Sequence, residues 1–339
     1  MNLNEKRYSG CLHPMAMRKI GINPSGKPQY KFIGEINEIL ARDPDIIVAP
    51  CGHCINCRLA YSRKWADRLL LESQYHKQSW FVTLTYNDFF VPTSYYTDSF
   101  SGELIPHYSL FKRDVQLFLK RLRENTGCQF RYYCAGEYGS KTLRPHYHLI
   151  IFGLELNEDS DLYNARNGHS GFTLYQSRTI EFAWSRILFD RRWPLGHVAV
   201  APCNWQTCAY VARYVTKKLD GELSSQYDFF NIEKPFSLMS RRPGIAYQYY
   251  LDHPEIADKG KVYLSTPDGS KCIRLPEYFL NKLELDFPEK FDIIKEERKQ
   301  AAKRMVRQNR DTDLDFYSYL QQQERKAEST LKKLIRDEV

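Results

Sequence analysis

No stretch of this 339-residue sequence is long and apolar enough to cross a membrane, and its opening, MNLNEKRYSG, lacks the apolar core of a secretory leader. No membrane association is expected, and a reducing cytoplasm is the expected setting. The nine cysteines agree: an odd number in such a chain argues against a disulfide framework. Internal repeats and low-complexity blocks are also missing, which excludes a solenoid. A phosphate-binding loop is nearly present and fails. GINPSGKP (21–28) approaches the GxxxxGK[ST] spacing, but Pro28 stands where a Mg²⁺-binding hydroxyl is needed and no helix clearly follows. A nucleotide-hydrolysing motor is therefore not expected.

What is there describes a globular protein that favours anionic partners: Lys+Arg 49 against Asp+Glu 41 give a net charge of +8, with 42% hydrophobic residues. The length suits one elaborated core with extensions. Periodicity places a strand in WFVTLTY from Trp80 and a helix over 110–127 that ends at Gly127. Strands follow at 130–139 and 144–153, joined through SKTL, then a polar looped stretch, a helix over 177–189 and a strand over 196–202. The order βαββαβ predicts an α+β, ferredoxin-like antiparallel sheet with two helices on one face. A further helix is expected over 204–219. The expected organisation is a cysteine-rich segment with a helix (1–79), the core and its extension (80–287) and a charged helical tail (288–339) with a solvated face.

Side chains alternate along a strand, so His146 and His148 of RPHYHLIIFG point to one face, about 7 Å apart along the chain. An antiparallel hairpin would bring Glu137 of the preceding strand beside them. Two imidazoles and one carboxylate can hold a divalent ion and leave positions open for substrate. On a helical wheel, Cys208, Val211, Val215 and Leu219 of CAYVARYVTKKL gather on one side. Tyr210 and Tyr214 lie on the other, polar side with Lys217, and Lys218 flanks Tyr214. A free tyrosine has a pKa near 10, so a nucleophilic role needs help, which the lysines can supply by stabilising phenolate and phosphoryl charge. Tyrosine, lysine and a metal together point to phosphoryl chemistry.

At FVTLTY (81–86), GEYGSKTLRPHYHLIIFG (136–153) and YVARYVTKK (210–218), in that order, the chain resembles the HUH endonucleases that initiate rolling-circle replication. PCGHCINCR (50–58) and FSLMSRRPGIAYQYY (236–250) are similar to the gokushovirus branch of the microviruses, small single-stranded DNA phages. The likeness covers most of residues 11–250 and leaves the tail out. It implies that His146 and His148 are metal ligands, that Glu137 is the third, and that Tyr210 and Tyr214 are paired nucleophiles. It further implies nicking of single-stranded origin DNA with Mg²⁺ or Mn²⁺, through a 5′-phosphotyrosyl link that leaves a free 3′-OH, and then rejoining of strands. The implied setting is the cytoplasm of a bacterial host, with host helicase and DNA polymerase as partners, since the chain carries no motor of its own.

CGHCINC has Cys51, Cys54 and Cys57 at CxxCxxC spacing, with Cys11 as a fourth thiolate; a closed structural Zn²⁺ site is the preferred reading. His53 or His13 could replace one cysteine, and three packed thiols without metal remain an alternative. The bacterial iron–sulfur run would want a cysteine at Tyr61. SRRPG (240–244) could grip phosphates or be a solvated basic turn. Two rival functions remain. A non-catalytic RNA- or single-stranded-DNA-binding module of the same strand order would leave the histidines and tyrosines unexplained. A cupin-type enzyme would want a glutamate where Phe152 and Gly153 stand.

Overall fold

A computed structural model describes residues 10–24, 26, 28–37, 39–40, 43–139, 142–167, 173–214, 224–266, 269–308 and 314–334. They fall into two compact units, within an α+β chain whose sheets are antiparallel.

One unit draws on Met1–Tyr61, Glu255–Val262 and Glu277–Arg336. Its sheet has the order β2-β1-β3, from β1 (Met15–Ile22), β2 (Pro28–Glu35) and β3 (Ile46–Ala49). Its apolar centre is small: Ala16, Ile36 and Ile46 are buried together, with Leu40 and Val48 beside them. These strands were not legible in the sequence, because most of their side chains are exposed and the apolar alternation is weak. GINPSGKP forms the connection from β1 to β2, with Ile22 opposite Pro28, so a strand rather than a helix follows it. The expected N-terminal helix is Ile55–Ser73, and the division between the units falls within it. The tail forms two helices, Pro288–Gln308 and Phe316–Leu334, with Ile294 and Leu320 buried.

The other unit draws on Ser62–Pro254 and Tyr263–Pro276. Along the chain come β4 (Ser79–Thr85) and a small hairpin, β5 (Thr93–Thr97) and β6 (Leu104–Tyr108). The helix Lys112–Thr126 follows, then β7 (Arg131–Tyr138) and β8 (Pro145–Phe152). Next are β9 (Leu162–Asn167), β10 (Thr173–Ser177), the helix Arg178–Ala183, and a second hairpin of β11 (Ser185–Leu188) and β12 (Arg191–Pro194). β13 (Val198–Pro202), the helix Trp205–Tyr214 and β14 (Phe236–Met239) complete the parts that position the site. The main sheet has the order β14-β7-β8-β4-β13-β10-β9.

Strand alternation divides this sheet into two faces of different chemistry. Trp80, Val82 and Leu84 of β4, Tyr147, Leu149 and Ile151 of β8, and Val198 and Val200 of β13 are buried in one cluster with Val115, Phe118, Leu119 and Leu122 of the first helix. Ile180, Ala183 and Trp184 close the same core. The opposite face carries Phe81, Thr83, His146, His148, Ala135 and Glu137, and the Trp205–Tyr214 helix packs against β7 and β8. Trp65 of the Ile55–Ser73 helix meets Tyr133 of β7 there, ring centroids 4.8 Å apart.

Three expectations need correction. The helix expected over 177–189 stops at Ala183. Trp184 is fully buried with its Nε1 donating to the Thr85 carbonyl at 2.8 Å. Beyond it, Phe189 and Asp190 both adopt positive φ (51° and 58°), which makes the two-residue turn of the β11–β12 hairpin. The polar stretch read as a loop holds β9 and β10, which extend the sheet past β13. The helix expected over 204–219 is seen from Trp205 to Tyr214, and residues 215–219 lie outside the described residues.

Candidate active site

Register brings the histidines and the glutamate together. β8 lies between β4 and β7, so His148 faces Thr83 on one side and Ala135 on the other, while His146 faces Thr85 and Glu137. The Glu137 carboxylate leans diagonally across the ladder, and its Oε1 lies 3.2 Å from His148 Nε2. The other ring nitrogen, Nδ1, lies 3.0 Å from Thr83 Oγ1. The rings of His146 and His148 are stacked, 6.4 Å between centroids with 6° between their planes. His148 and Glu137 are almost fully buried, at 5% and 4% exposure, so they meet where water screens weakly.

The Trp205–Tyr214 helix is started by a reciprocal cap: Thr207 N–H donates to Asn204 Oδ1 and Asn204 N–H to Thr207 Oγ1, each at 2.9 Å. Trp205 Nε1 donates to Asp67 Oδ1 (2.9 Å) and Ser62 Oγ donates to the Ala209 carbonyl (3.2 Å), which ties it to the Ile55–Ser73 helix. As the wheel predicts, Cys208 and Val211 are buried. Tyr210 is half-buried and its ring stands edge-on to His148, at 5.4 Å and 88°, and to Phe81, at 5.6 Å and 88°. Phe81 also stacks on His148. Tyr214 ends the helix, with its side chain outside the described residues; Lys217 and Lys218 lie outside them altogether.

Sequence reasoning missed three parts of this site: Thr83, Phe81 and Gly139. The first two share a face with the histidines by the alternation of FVTLTY, which was the available signal. Gly139 matters by what it omits, because a Cβ there would lie 2.9 Å from His146 Nε2.

The donor set fits a hard divalent cation. With His148 neutral, Nε2 and the facing carboxylate oxygen both offer electron pairs. Their 3.2 Å separation is close to the distance of about 3 Å between neighbouring octahedral ligands at about 2.1 Å from a metal. His146, directly opposite Glu137, supplies the next donor.

A second group of ligand atoms gathers in the other unit. The Sγ atoms of Cys11, Cys51, Cys54 and Cys57 all lie within 4.8 Å of one another. Neither histidine substitutes: His13 pairs with Glu324 (3.1 Å) and Glu35 (3.6 Å), and His53 is exposed and outside the group. SRRPG follows β14, with Arg241 and Arg242 exposed. Arg131 Nη2 donates to the Pro243 carbonyl at 2.9 Å and so pins the turn.

Comparison with known proteins agrees with these motifs. The family model described as replication-associated protein ORF2 matches residues 79–219. Replication-associated protein ORF2 of Spiroplasma virus 4 is 30% identical over 293 residues, covering 85% of this chain and 84% of its own. Replication-associated protein VP4 of Bdellovibrio phage phiMH2K is 27% identical over 318 residues, 91% of this chain and 88% of its own. Replication-associated protein ORF4 of Chlamydia phage 1 is 28% identical over 174 residues, 50% of this chain and 38% of its own. No solved structure matches the chain. With such identity sustained over most of both sequences, the chain belongs to the ORF2 family of phage replication-associated proteins, as the resemblance of its motifs implied.

Proposed function

We propose that the protein is an HUH-type endonuclease and strand transferase that starts rolling-circle replication by nicking single-stranded origin DNA. The observation that carries this reading is Tyr210, set edge-on against His148, whose Nε2 meets the Glu137 carboxylate: a phenol beside two histidines and one carboxylate. The strand order β13-β4-β8-β7, with helices after the first and third strands in sequence, is that of a ferredoxin-like βαββαβ sheet and supports it. So does the membership among replication-associated proteins.

In this reading His146, His148 and Glu137 hold Mg²⁺ or Mn²⁺. The bound ion supplies Lewis-acid polarisation of the scissile phosphate. Tyr210 or Tyr214 offers its phenol oxygen to phosphorus; as that bond forms, the bond from phosphorus to the 3′ oxygen breaks. The phenol gives up its proton, and the departing oxygen takes one to become a 3′-OH. One phosphodiester replaces another, so no ATP is consumed, and attack by a 3′-OH on the phosphotyrosyl link rejoins the strands. Thr83 orients the His148 ring, Phe81 packs against both that ring and Tyr210, and Lys217 and Lys218 stabilise phenolate and phosphoryl charge. Strand separation and synthesis fall to a host helicase and DNA polymerase in the bacterial cytoplasm.

Two nucleophiles match a reaction that must cut the regenerated origin while still attached to the first 5′ end. The test is incubation of the full chain with Mn²⁺ and single-stranded oligonucleotides tiled across an origin-bearing strand, resolved on a denaturing gel. The wild type is expected to form a covalent adduct. Tyr210→Phe and Tyr214→Phe should each retain part of the nicking, and the double variant should form none. No adduct from the wild type on any oligonucleotide would favour a binding module without catalysis.

A further inference from the structure

PCGHCINCR has no place in the nicking chemistry, yet four thiols converge there. We infer that Cys11, Cys51, Cys54 and Cys57 form a closed structural site for one Zn²⁺ ion. A tetrahedral ion with Zn–S bonds of about 2.3 Å sets its sulfurs about 3.8 Å apart. Cys11 Sγ and Cys54 Sγ lie 3.8 Å apart, and the whole set falls within 4.8 Å. That is far too long for a disulfide, which needs about 2.05 Å, and all four cysteines are free.

The surroundings are those of a thiolate site. Backbone N–H groups donate to three of the sulfurs: Leu12 to Cys54 Sγ (3.4 Å), Cys51 to Cys11 Sγ (3.2 Å) and Cys54 to Cys51 Sγ (3.3 Å). Such bonds stabilise negative sulfur and orient it toward a metal. Gly52, at φ 84°, turns the chain between Cys51 and Cys54 in a conformation that L side chains rarely adopt. Asn56 Nδ2 donates to the Gly10 carbonyl at 2.9 Å and holds the segment bearing Cys11 against the start of the Ile55–Ser73 helix.

Packed thiols without metal explain this less well. Apart from the four cysteines the cluster holds only Leu12 and Ile55, too little hydrocarbon to hold a chain segment by burial. The neighbouring core of Ala16, Ile36 and Ile46 is equally small, and small cores depend on such staples. Four thiolates fill a tetrahedral ion and leave no position for substrate, so the site is structural.

The test measures metal content of the full chain purified without added metal, beside Cys51→Ser, Cys54→Ser and, as control, Cys272→Ser, whose thiol is exposed and outside the group. About one zinc per chain is expected in the wild type and in Cys272→Ser, falling at least tenfold in the two ligand variants. Because those variants can fail to fold, the wild type is also titrated with a mercurial, which should release the zinc in step with thiol modification. Replacement by Co²⁺ should give the visible absorption of a tetrahedral thiolate complex. A metal-free wild type that takes up neither ion, zinc retained in both ligand variants, or stoichiometric iron with visible absorbance would each overturn the assignment. None of these readouts depends on nicking, so this site and the proposed nuclease stand or fall separately.

Discussion

His148 is held at both nitrogens, with Thr83 Oγ1 3.0 Å from Nδ1 and Glu137 Oε1 3.2 Å from Nε2. A ring that accepted no partner at Nδ1 could turn about its bond to Cβ; Thr83 removes that freedom and favours the tautomer with an open pair on Nε2. Thr83→Val keeps the shape and removes the partner. Its expected effect is a rise of about tenfold in the Mn²⁺ concentration for half-maximal nicking, with urea stability changed by no more than about 1 kcal/mol. An unchanged Mn²⁺ requirement would take Thr83 out of the site. The histidine pair was legible because a period of two puts both rings on one face whatever the fold. Thr83 was not, because nothing local distinguishes a threonine that serves a neighbouring strand from one that merely suits a strand.

Between elements, the clearest interaction is buried Glu72. Its carboxylate accepts from Arg131 of β7 and from the Ala246 N–H beyond SRRPG, and it lies 3.3 Å from His76 Nε2. It thus joins the end of a helix, a strand and the segment after β14. Burial alone would raise the Glu72 carboxyl, but His76, the Ala246 N–H and Arg131 outweigh it and hold it below the ordinary glutamate value. A depressed pKa means stability that is present above the unfolded-state value, near 4.3, and lost as pH falls through the folded-state value. Glu72→Gln should therefore cost about 2 kcal/mol at pH 7, and the gap to wild type should close on acidification below about pH 4. Denaturant titrations across pH would check it; a gap independent of pH would mean that charge has no part in the clamp. At this scale the strongly periodic elements were legible: Lys112–Thr126, closed at Gly127 with φ 67°, and the β7–β8 hairpin. The 177–189 segment was misread because its apolar spacing suits a helix, whereas a buried tryptophan and a tight turn decide the outcome.

For the whole molecule, the net charge of +8 and the buried metal set separate binding from chemistry. Affinity for single-stranded DNA rests on phosphate contacts, and cleavage rests on the ion. His148→Ala should abolish adduct formation while binding the same oligonucleotide within about threefold of wild type, and both should weaken together by about tenfold or more between about 50 and 200 mM salt. Filter binding and the adduct gel, run side by side, check this; affinity lost with cleavage would mean that the ion also anchors the strand. The sequence by itself determined the chemistry, since the spacings HxH, YxxxY and CxxCxxC are local and survive any packing. It also determined the α+β character, through periodicities of two and 3.6 in its apolar segments. Tertiary structure alone decided that Glu137 reaches across to His148, that Cys11 closes on Cys54 from 43 residues away, and that β9, β10 and β14 complete the sheet. Each of these is a pairing between distant segments, several of them short or polar, whose partners are selected by burial and hydrogen bonding across the fold.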